Sequence, residues 1–366
     1  MSHHLAIFLP SLSGGGAELI MLALAKAFVT RGIRCDLVIA MHKGELINDV
    51  PEGVQLISLH RNKTIHAVFA LSRYLRRERP EALLTTTLKA SIAALLAKRL
   101  TSTGTRMVLC EANPIAFAMQ SSNLWKTTVN KVAVHLLYRK ADDVILISEG
   151  VHQSLLNERV VDPSRMHIIY NPIPRDCARH SKNSANGQFS LVACGRLHPQ
   201  KDHATLLRVL AKLRHRFAVH LTIVGEGPLR GELEAQARTL GISDAVTFTG
   251  FVTDPTKYFA AADVFVHTSR YEGFGVVLLE ALACGCAIVA TDCPGGVQEV
   301  LANGKFGTLV PVGDDEAIAN AVAGILGGEV EFPDASEYLQ QFDINRIAEA
   351  YLAVLFPQDE AFRPLI

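Results

Sequence analysis

Short apolar runs alternate with longer amphipathic ones along this chain, and the pattern occurs twice. "LAIFLP" (5–10) leads through a glycine turn into a helical pattern that stops at Gly32, and "CDLVIA" and "VQLISL" follow. "EALLTTT", "RMVLC", "ADDVILIS" and "RMHII" continue the series, separated by stretches such as "KASIAALLAKRL" with helical periodicity. Strands that alternate with helices of ten or more residues build βαβ units and a parallel sheet. Residues 176–188, "DCARHSKNSANGQ", are polar and turn-rich and read as a linker. Beyond them the alternation restarts with "FSLVACGR", "HLTIVGEGP", "AVTFTGF", "DVFVHTS", "AIVATD" and "FGTLVPVGD".

The expected fold class is therefore α/β, with two Rossmann-like doubly wound domains facing each other across a cleft. The first spans 1–175 and the second 186–343, with the C-terminal segment 344–366 crossing back as a helix. A length of 366 residues suits two domains. No apolar run approaches the ~18 residues of a membrane span. The start, "MSHHLAIFLPSLSGGG", lacks a basic region and a long apolar stretch, so it does not read as a signal peptide. Seven scattered cysteines fit reduced thiols and a cytoplasmic setting. Cys284 and Cys286 offer too few ligands for zinc.

Net charge is zero but uneven. Residues 1–180 carry 22 Lys and Arg against 14 Asp and Glu, and the remainder carries the reverse. A basic first half reads either as a surface for something anionic or as plain compositional drift.

Open parallel sheets bind ligands at the carboxyl ends of their strands, and three such places carry polar groups. In "PSLSGGGAE", Gly14, Gly15 and Gly16 permit positive φ and close backbone approach at a helix start, an anion seat or an ordinary tight turn. The G-x-G-x-x-G spacing of a dinucleotide site is absent. In "CGRLHPQKD", Arg196 and Lys201 project from a strand-end loop, either as a clamp on a diphosphate or as solvated charges. In "SRYEGFGVVLLEALACGCAIVATDCPGG", Glu272 stands at a helix entrance beside Phe274, Gly275 and Val276. Glu280 lies inside the helix among leucines. A buried carboxylate costs several kcal/mol without a partner. A vicinal diol such as that of a ribose would supply one; otherwise the side chain reaches solvent. Ribose, diphosphate and hexose together describe a sugar nucleotide.

The segment "EGFGVVLLEALACGCAIVATDCPGG" resembles the E-x7-E signature of retaining glycosyltransferases of family 4, whose fold is named GT-B. "GRLHPQKD", "SLSGGGAE", "VGEGPLRGELE" and "VTFTGFV" resemble that family's other segments in order, so the resemblance covers nearly the whole chain. It implies that Arg196 and Lys201 contact the donor diphosphate, Glu272 the transferred sugar and Glu280 the ribose. Phe274, Gly275 and Val276 match the backbone near sugar and phosphate, and Gly15 and Gly16 match the loop approaching the diphosphate from the first domain. Such enzymes transfer with retention and are usually metal-independent, so no cofactor is expected beyond the nucleoside diphosphate sugar. The donor base follows family frequency: UDP before GDP.

One departure stands out. Many relatives carry a histidine after the strand corresponding to "RMVLC"; this chain has Glu111 and Asn113. Glu111 reads as a base acting on the acceptor hydroxyl, or as a loop-orienting group. His3, His4, His60, His66 and His135 read as surface or packing residues. Basic residues Arg73, Arg76, Arg77 and Arg79 lie in the first half. "SSNLWKTTVNKVAVHLLYRK" joins Trp125, Leu136, Leu137 and Tyr138 to Lys126, Lys131, Arg139 and Lys140, a peripheral helix for an anionic bilayer or a core helix with a charged side.

The function expected is transfer of a hexose or N-acetylhexosamine to a cell-surface glycan or lipid-linked acceptor, as in lipopolysaccharide or polysaccharide biosynthesis, with catalysis at Arg196, Lys201, Glu272 and Glu111. The rival is a sugar-nucleotide epimerase, hydrolase or phosphorylase. Nucleic-acid binding is disfavoured, since the basic residues lack interleaved aromatics on strands.

Overall fold

A computed structural model describes residues 3–120, 124–175 and 187–362. Most of the segment read as a linker, residues 176–186, lies outside the described residues. The chain divides into two compact units. The described residues up to Pro174 group with those from Gln341 onward, and Arg175–Gln340 form the second unit.

The first unit is built on seven parallel strands: β1 (His4–Leu9), β2 (Arg34–Ile39), β3 (Val54–Ser58), β4 (Ala82–Thr86), β5 (Arg106–Glu111), β6 (Asp143–Leu146) and β7 (Met166–Ile168). Their spatial order is β3-β2-β1-β4-β5-β6-β7. β1 is buried throughout, as is β4, which explains why their sequences read as continuous apolar runs rather than alternating ones. The chain order reverses between β1 and β4, which are direct neighbours with Leu5 opposite Ala82. A ligand crevice opens at such a switch point.

The second unit has β8 (Phe189–Cys194), β9 (Val219–Val224), β10 (Val246–Gly250), β11 (Val264–His267), β12 (Ala287–Thr291) and β13 (Thr308–Val310). The order β10-β9-β8-β11-β12-β13 repeats the first six strands of the other sheet, with the reversal between β8 and β11. Leu191, Leu221, Ile223 and Val264 from the strands pack with Leu206, Leu210 and Leu213 from the helix His203–Leu213. Each such side chain stabilises the fold by roughly 1.5–3 kcal/mol on burial.

The C-terminal helix Ile344–Leu355 completes the first unit. Asp343 caps it, accepting from the amides of Asn345 and Arg346. Ile347, Tyr351, Leu352 and Leu355 face inward, and the helix packs on the helix Gly16–Thr30. Arg106 donates to the Val354 carbonyl at 3.1 Å. The helix is shorter than the sequence suggested: it ends at Leu355, two residues before Pro357, because proline cannot continue a helix. Residues 363–366 lie outside the described residues.

The histidine readings resolve individually. His3 bridges Glu81 at 2.8 Å and Asp359 at 2.6 Å, and its ring stacks on Phe356. His4 pairs with buried Asp36 at 2.9 Å. Leu137 and Tyr138, read with the interfacial face of the 121–140 stretch, instead turn inward and are buried. Tyr138 does so because its hydroxyl has a partner inside, a buried carboxylate on β5.

Candidate functional site

In the second unit the two loops that leave adjacent strands at the switch point are stitched together. The loop after β8 carries Arg196 and Lys201; the loop after β11 carries Glu272. The Arg270 amide donates to the Gln200 carbonyl at 2.8 Å, and the Gln200 side chain donates to the Tyr271 carbonyl at 3.0 Å. Thr268 donates its hydroxyl to the Lys201 carbonyl at 2.8 Å. Lys201 and Glu272, 71 residues apart in sequence, meet at 2.5 Å.

Glu272 is 6% exposed, and its Oε1 also meets the Ser269 hydroxyl at 2.6 Å and His267 Nε2 at 3.1 Å. Burial alone would raise this carboxyl, but the Lys201 charge and the His267 contact hold it well below the usual range. It is therefore an anion at any working pH. Burial pushes His267 down, which favours the neutral imidazole, so it orients the carboxylate rather than neutralising it. The backbone of Glu272 is fixed too: its amide donates to the Pro294 carbonyl at 3.0 Å, where the loop after β12 crosses. His267 at the end of β11, Ser269 just after it and Pro294 after β12 thus hold Glu272 in place, though none was given a role in the sequence.

Arg196 is exposed and has no ion pair or side-chain hydrogen bond among the described residues. Phe274 is buried and Gly275 takes φ +87°, the left-handed turn that starts the helix Val276–Ala283. Its first amides lie next to Glu272 in the chain, so the partial positive charge of the helix start is added to that of Lys201.

Glu280, inside that helix, is 2% exposed and does not reach solvent. Its partner is Arg175, which donates from Nη1 to Oε1 at 2.5 Å and from Nη2 to the Thr253 carbonyl at 2.5 Å. Arg175 was missed in the sequence because it sits beside the polar linker, 105 positions from its partner. Cys194, at the end of β8, feels the charges of both pairs. Burial and then the Glu280 charge push its thiol up to about 12, while Lys201 and Arg175 act the other way.

In the first unit the glycine loop follows β1. Gly14 takes φ +79°, whereas Gly15 has φ −79° and Gly16 opens the helix, so one glycine of the three uses a left-handed conformation. A Cβ on Gly16 would meet nothing within 4 Å, so the protein's own packing does not demand glycine there. A cavity of about 300 Å³ lies beside this loop at the switch point, lined by Pro10, Thr87, Lys89, Glu111 and Asn113 among others. Thr87 holds φ +77°, a costly geometry for a β-branched residue, and its hydroxyl is buried without a partner among the described residues.

Glu111 is 1% exposed and accepts from the Tyr138 hydroxyl at 2.6 Å. Burial raises its carboxyl to about 7, opposed by the hydrogen bonds from Tyr138 and Ser91. A consequence follows for stability. The folded protein keeps a proton that the unfolded chain releases near the ordinary value of 4.5. Stability is therefore undiminished below that value and falls as pH rises from there to about 7, by about 3 kcal/mol for this one group. The Glu111→Gln variant is expected to lack that fall. Denaturation midpoints of variant and wild type, followed from pH 4 to 8, should diverge with rising pH; parallel curves would show an ordinary carboxyl.

The chain is similar to known proteins. Residues 14–176 match the family described as Glycosyltransferase Family 4, and residues 188–327 match Glycosyl transferases group 1. The chain is 33% identical over 233 residues to a Campylobacter jejuni protein, N-acetylgalactosamine-N,N'-diacetylbacillosaminyl-diphospho-undecaprenol 4-alpha-N-acetylgalactosaminyltransferase, covering 63% of each. It is 33% identical over 170 residues to the lipopolysaccharide core biosynthesis glycosyltransferase LpsE of Rhizobium meliloti, covering 45% of this chain and 49% of that one. These matches span about half to under two thirds of the relatives' lengths. Among solved structures, Anabaena HepE in complex with UDP and glucose superposes with a TM-score of 0.80 at 21% identity, covering 96% of this chain and 98% of the other. The lipopolysaccharide outer core galactosyltransferase WaaB gives 0.72 at 18% identity, covering 97% and 100%. At such identities the likeness is one of fold, two parallel-sheet α/β domains of the GT-B kind.

Proposed function

The chain belongs to glycosyltransferase family 4, and from that premise we propose that it transfers a hexose or N-acetylhexosamine, with retention, from a nucleoside diphosphate sugar to a lipid-linked or cell-surface glycan. The observation that carries this reading is the joining of Lys201 to Glu272 across the β8–β11 switch point, with the uncommitted cation Arg196 on the same loop. Arg196, Lys201 and the helix start at Val276 together suit a diphosphate. Glu272 suits the hydroxyls of the sugar, and Glu280 those of the ribose. As the bond from the anomeric carbon to the diphosphate breaks, charge grows on the departing phosphate. Fixed cations stabilise that charge without reorganising. The acceptor hydroxyl attacks from the face the diphosphate leaves, and its proton passes to the leaving oxygen. These cations do what a metal does elsewhere, so transfer is expected to persist in chelator. UDP is the base favoured, in keeping with the HepE complex.

The test is direct. A UDP-sugar panel and a GDP-sugar panel are expected to separate in thermal shift, since a ligand that prefers the folded state raises the midpoint. Nucleotide release is expected to stay slow until a lipid-diphosphate glycan is added. Fast release without acceptor would favour a hydrolase, and epimerised donor an epimerase.

The acceptor's lipid character is supported by the helix Leu124–Leu137. Leu124, Trp125, Val129, Val132 and Leu136 are exposed along it, and residues 124–140 contain four Lys and Arg and no acid. An exposed apolar stripe with cationic flanks fits the surface of an anionic bilayer. No helix among the described residues is long and apolar enough to cross a membrane. Trp125 is the only tryptophan in the chain, so its fluorescence reads this surface alone. Emission is expected to shift to the blue with phosphatidylglycerol vesicles at low salt and to return as salt rises. An unchanged spectrum would remove the membrane contact.

A further inference from the structure

We propose that Arg175 is a positioning residue for donor binding: its guanidinium ties the Glu280 carboxylate to the loop after β10 and so presents that carboxylate to the ribose diol of the nucleotide. The proposal rests on the reading of Glu280 as the ribose acceptor and adds the group that makes Glu280 usable.

Glu280 is otherwise badly placed for such a task. It is the only charged residue of the helix Val276–Ala283, buried among Leu278, Leu279 and Leu282. A diol donates two hydrogen bonds, which an ionised carboxylate accepts and a neutral carboxyl accepts less well. Burial and the nearby Asp254 charge both favour the neutral form of Glu280; the Arg175 charge opposes them. Among the described residues, the charged and titratable groups that act on it come from three places. Arg175 comes from the chain entering the unit and Asp254 from the loop after β10, where it accepts from the Thr256 amide at 3.0 Å and hydroxyl at 2.7 Å. Cys194 comes from β8, with its thiol held protonated. Among the described residues, Arg175 is thus the cation that meets the Glu280 carboxylate directly.

Its geometry suits positioning. The two Nη atoms are spent on two elements, the helix and the Thr253 carbonyl, so the fork fixes a distance between them. A lysine supplies charge to one of them but cannot bridge both in the same plane.

The experiment compares UDP with 2′,3′-dideoxy-UDP, and GDP with its dideoxy analogue, on wild type, Glu280→Gln, Arg175→Gln and Arg175→Lys. Wild type is expected to prefer the diol by about tenfold or more, the scale of hydrogen bonds to a charged group. Glu280→Gln should lose most of that preference. Arg175→Gln should lose most of it and regain part of it as pH rises, since burial favours the neutral carboxyl, while Arg175→Lys keeps part of it at all pH values. Should Arg175→Gln keep the full preference while Glu280→Gln loses it, Arg175 is merely structural and the proposal is overturned. Should Glu280→Gln keep it as well, the ribose reading of Glu280 falls and the proposal falls with it.

Discussion

Alanine at Lys201 is expected to lower turnover by about two to three orders of magnitude, the scale set by removing one fixed electrostatic donor from a leaving-group site. The same change withdraws the cation that sits 2.5 Å from Glu272. Part of the observed loss will therefore be structural, because a buried carboxylate that loses its cation costs several kcal/mol. The structural part reads out in the melting of the double variant Lys201→Ala/Glu272→Gln. Its melting temperature should return toward wild type, since the stranded charge is gone, while turnover stays low. The acid limb moves as well. Glu272 titrates below its unfolded value, so it contributes stability above about 4.5 that is lost as pH falls below that point. Without Lys201 this contribution shrinks, and the single variant should be less stable than wild type at neutral pH by a margin that narrows in acid. Near-wild-type kcat in Lys201→Ala would remove this lysine from the chemistry.

The second large effect is expected from Gly295→Ala. Gly295 holds φ +125°, and a Cβ there would stand 1.6 Å from the carbonyl oxygen of Glu272. That neighbour is backbone, so no side-chain rotation relieves the clash. Either the loop after β12 withdraws, breaking the bond from the Glu272 amide to the Pro294 carbonyl, or the turn at Glu272 moves. A loss of about 3 kcal/mol or more is expected, which for a unit of this size lowers the melting temperature by roughly 10 °C. Activity should fall further than stability, since displacing the turn misdirects Glu272. A variant that melts with wild type would show that the loop yields at little cost.

The strands were legible in the sequence because a sheet covered on both faces needs nearly unbroken apolar runs, and β1, β4 and β12 have them. Lys201 and Glu272 drew attention in the sequence because strand-end loops are where an open parallel sheet leaves room for a ligand, and the structure joins these two side chains. What escaped was pairing at long range. Nothing local distinguishes Arg175 from the polar residues that follow it. Tyr138 sits among basic residues, and its neighbours suggested an interface. Its burial depends on Glu111, 27 positions earlier on another element. His267 and Ser269 counted only as the end of a strand, yet the ring and hydroxyl that steer Glu272 belong to them. Periodicity reports which face is covered; it does not report what a covered polar atom touches.

The C-terminal helix that seals the first unit also imposes an order on biogenesis. Residues 175–340 form one run of chain that groups with itself, whereas the earlier-made sheet waits, with one flank bare, until the helix Ile344–Leu355 has followed that run. A nascent chain of this protein therefore carries an unfinished first unit through the synthesis of the whole second one. That interval is where a chaperone would be needed most.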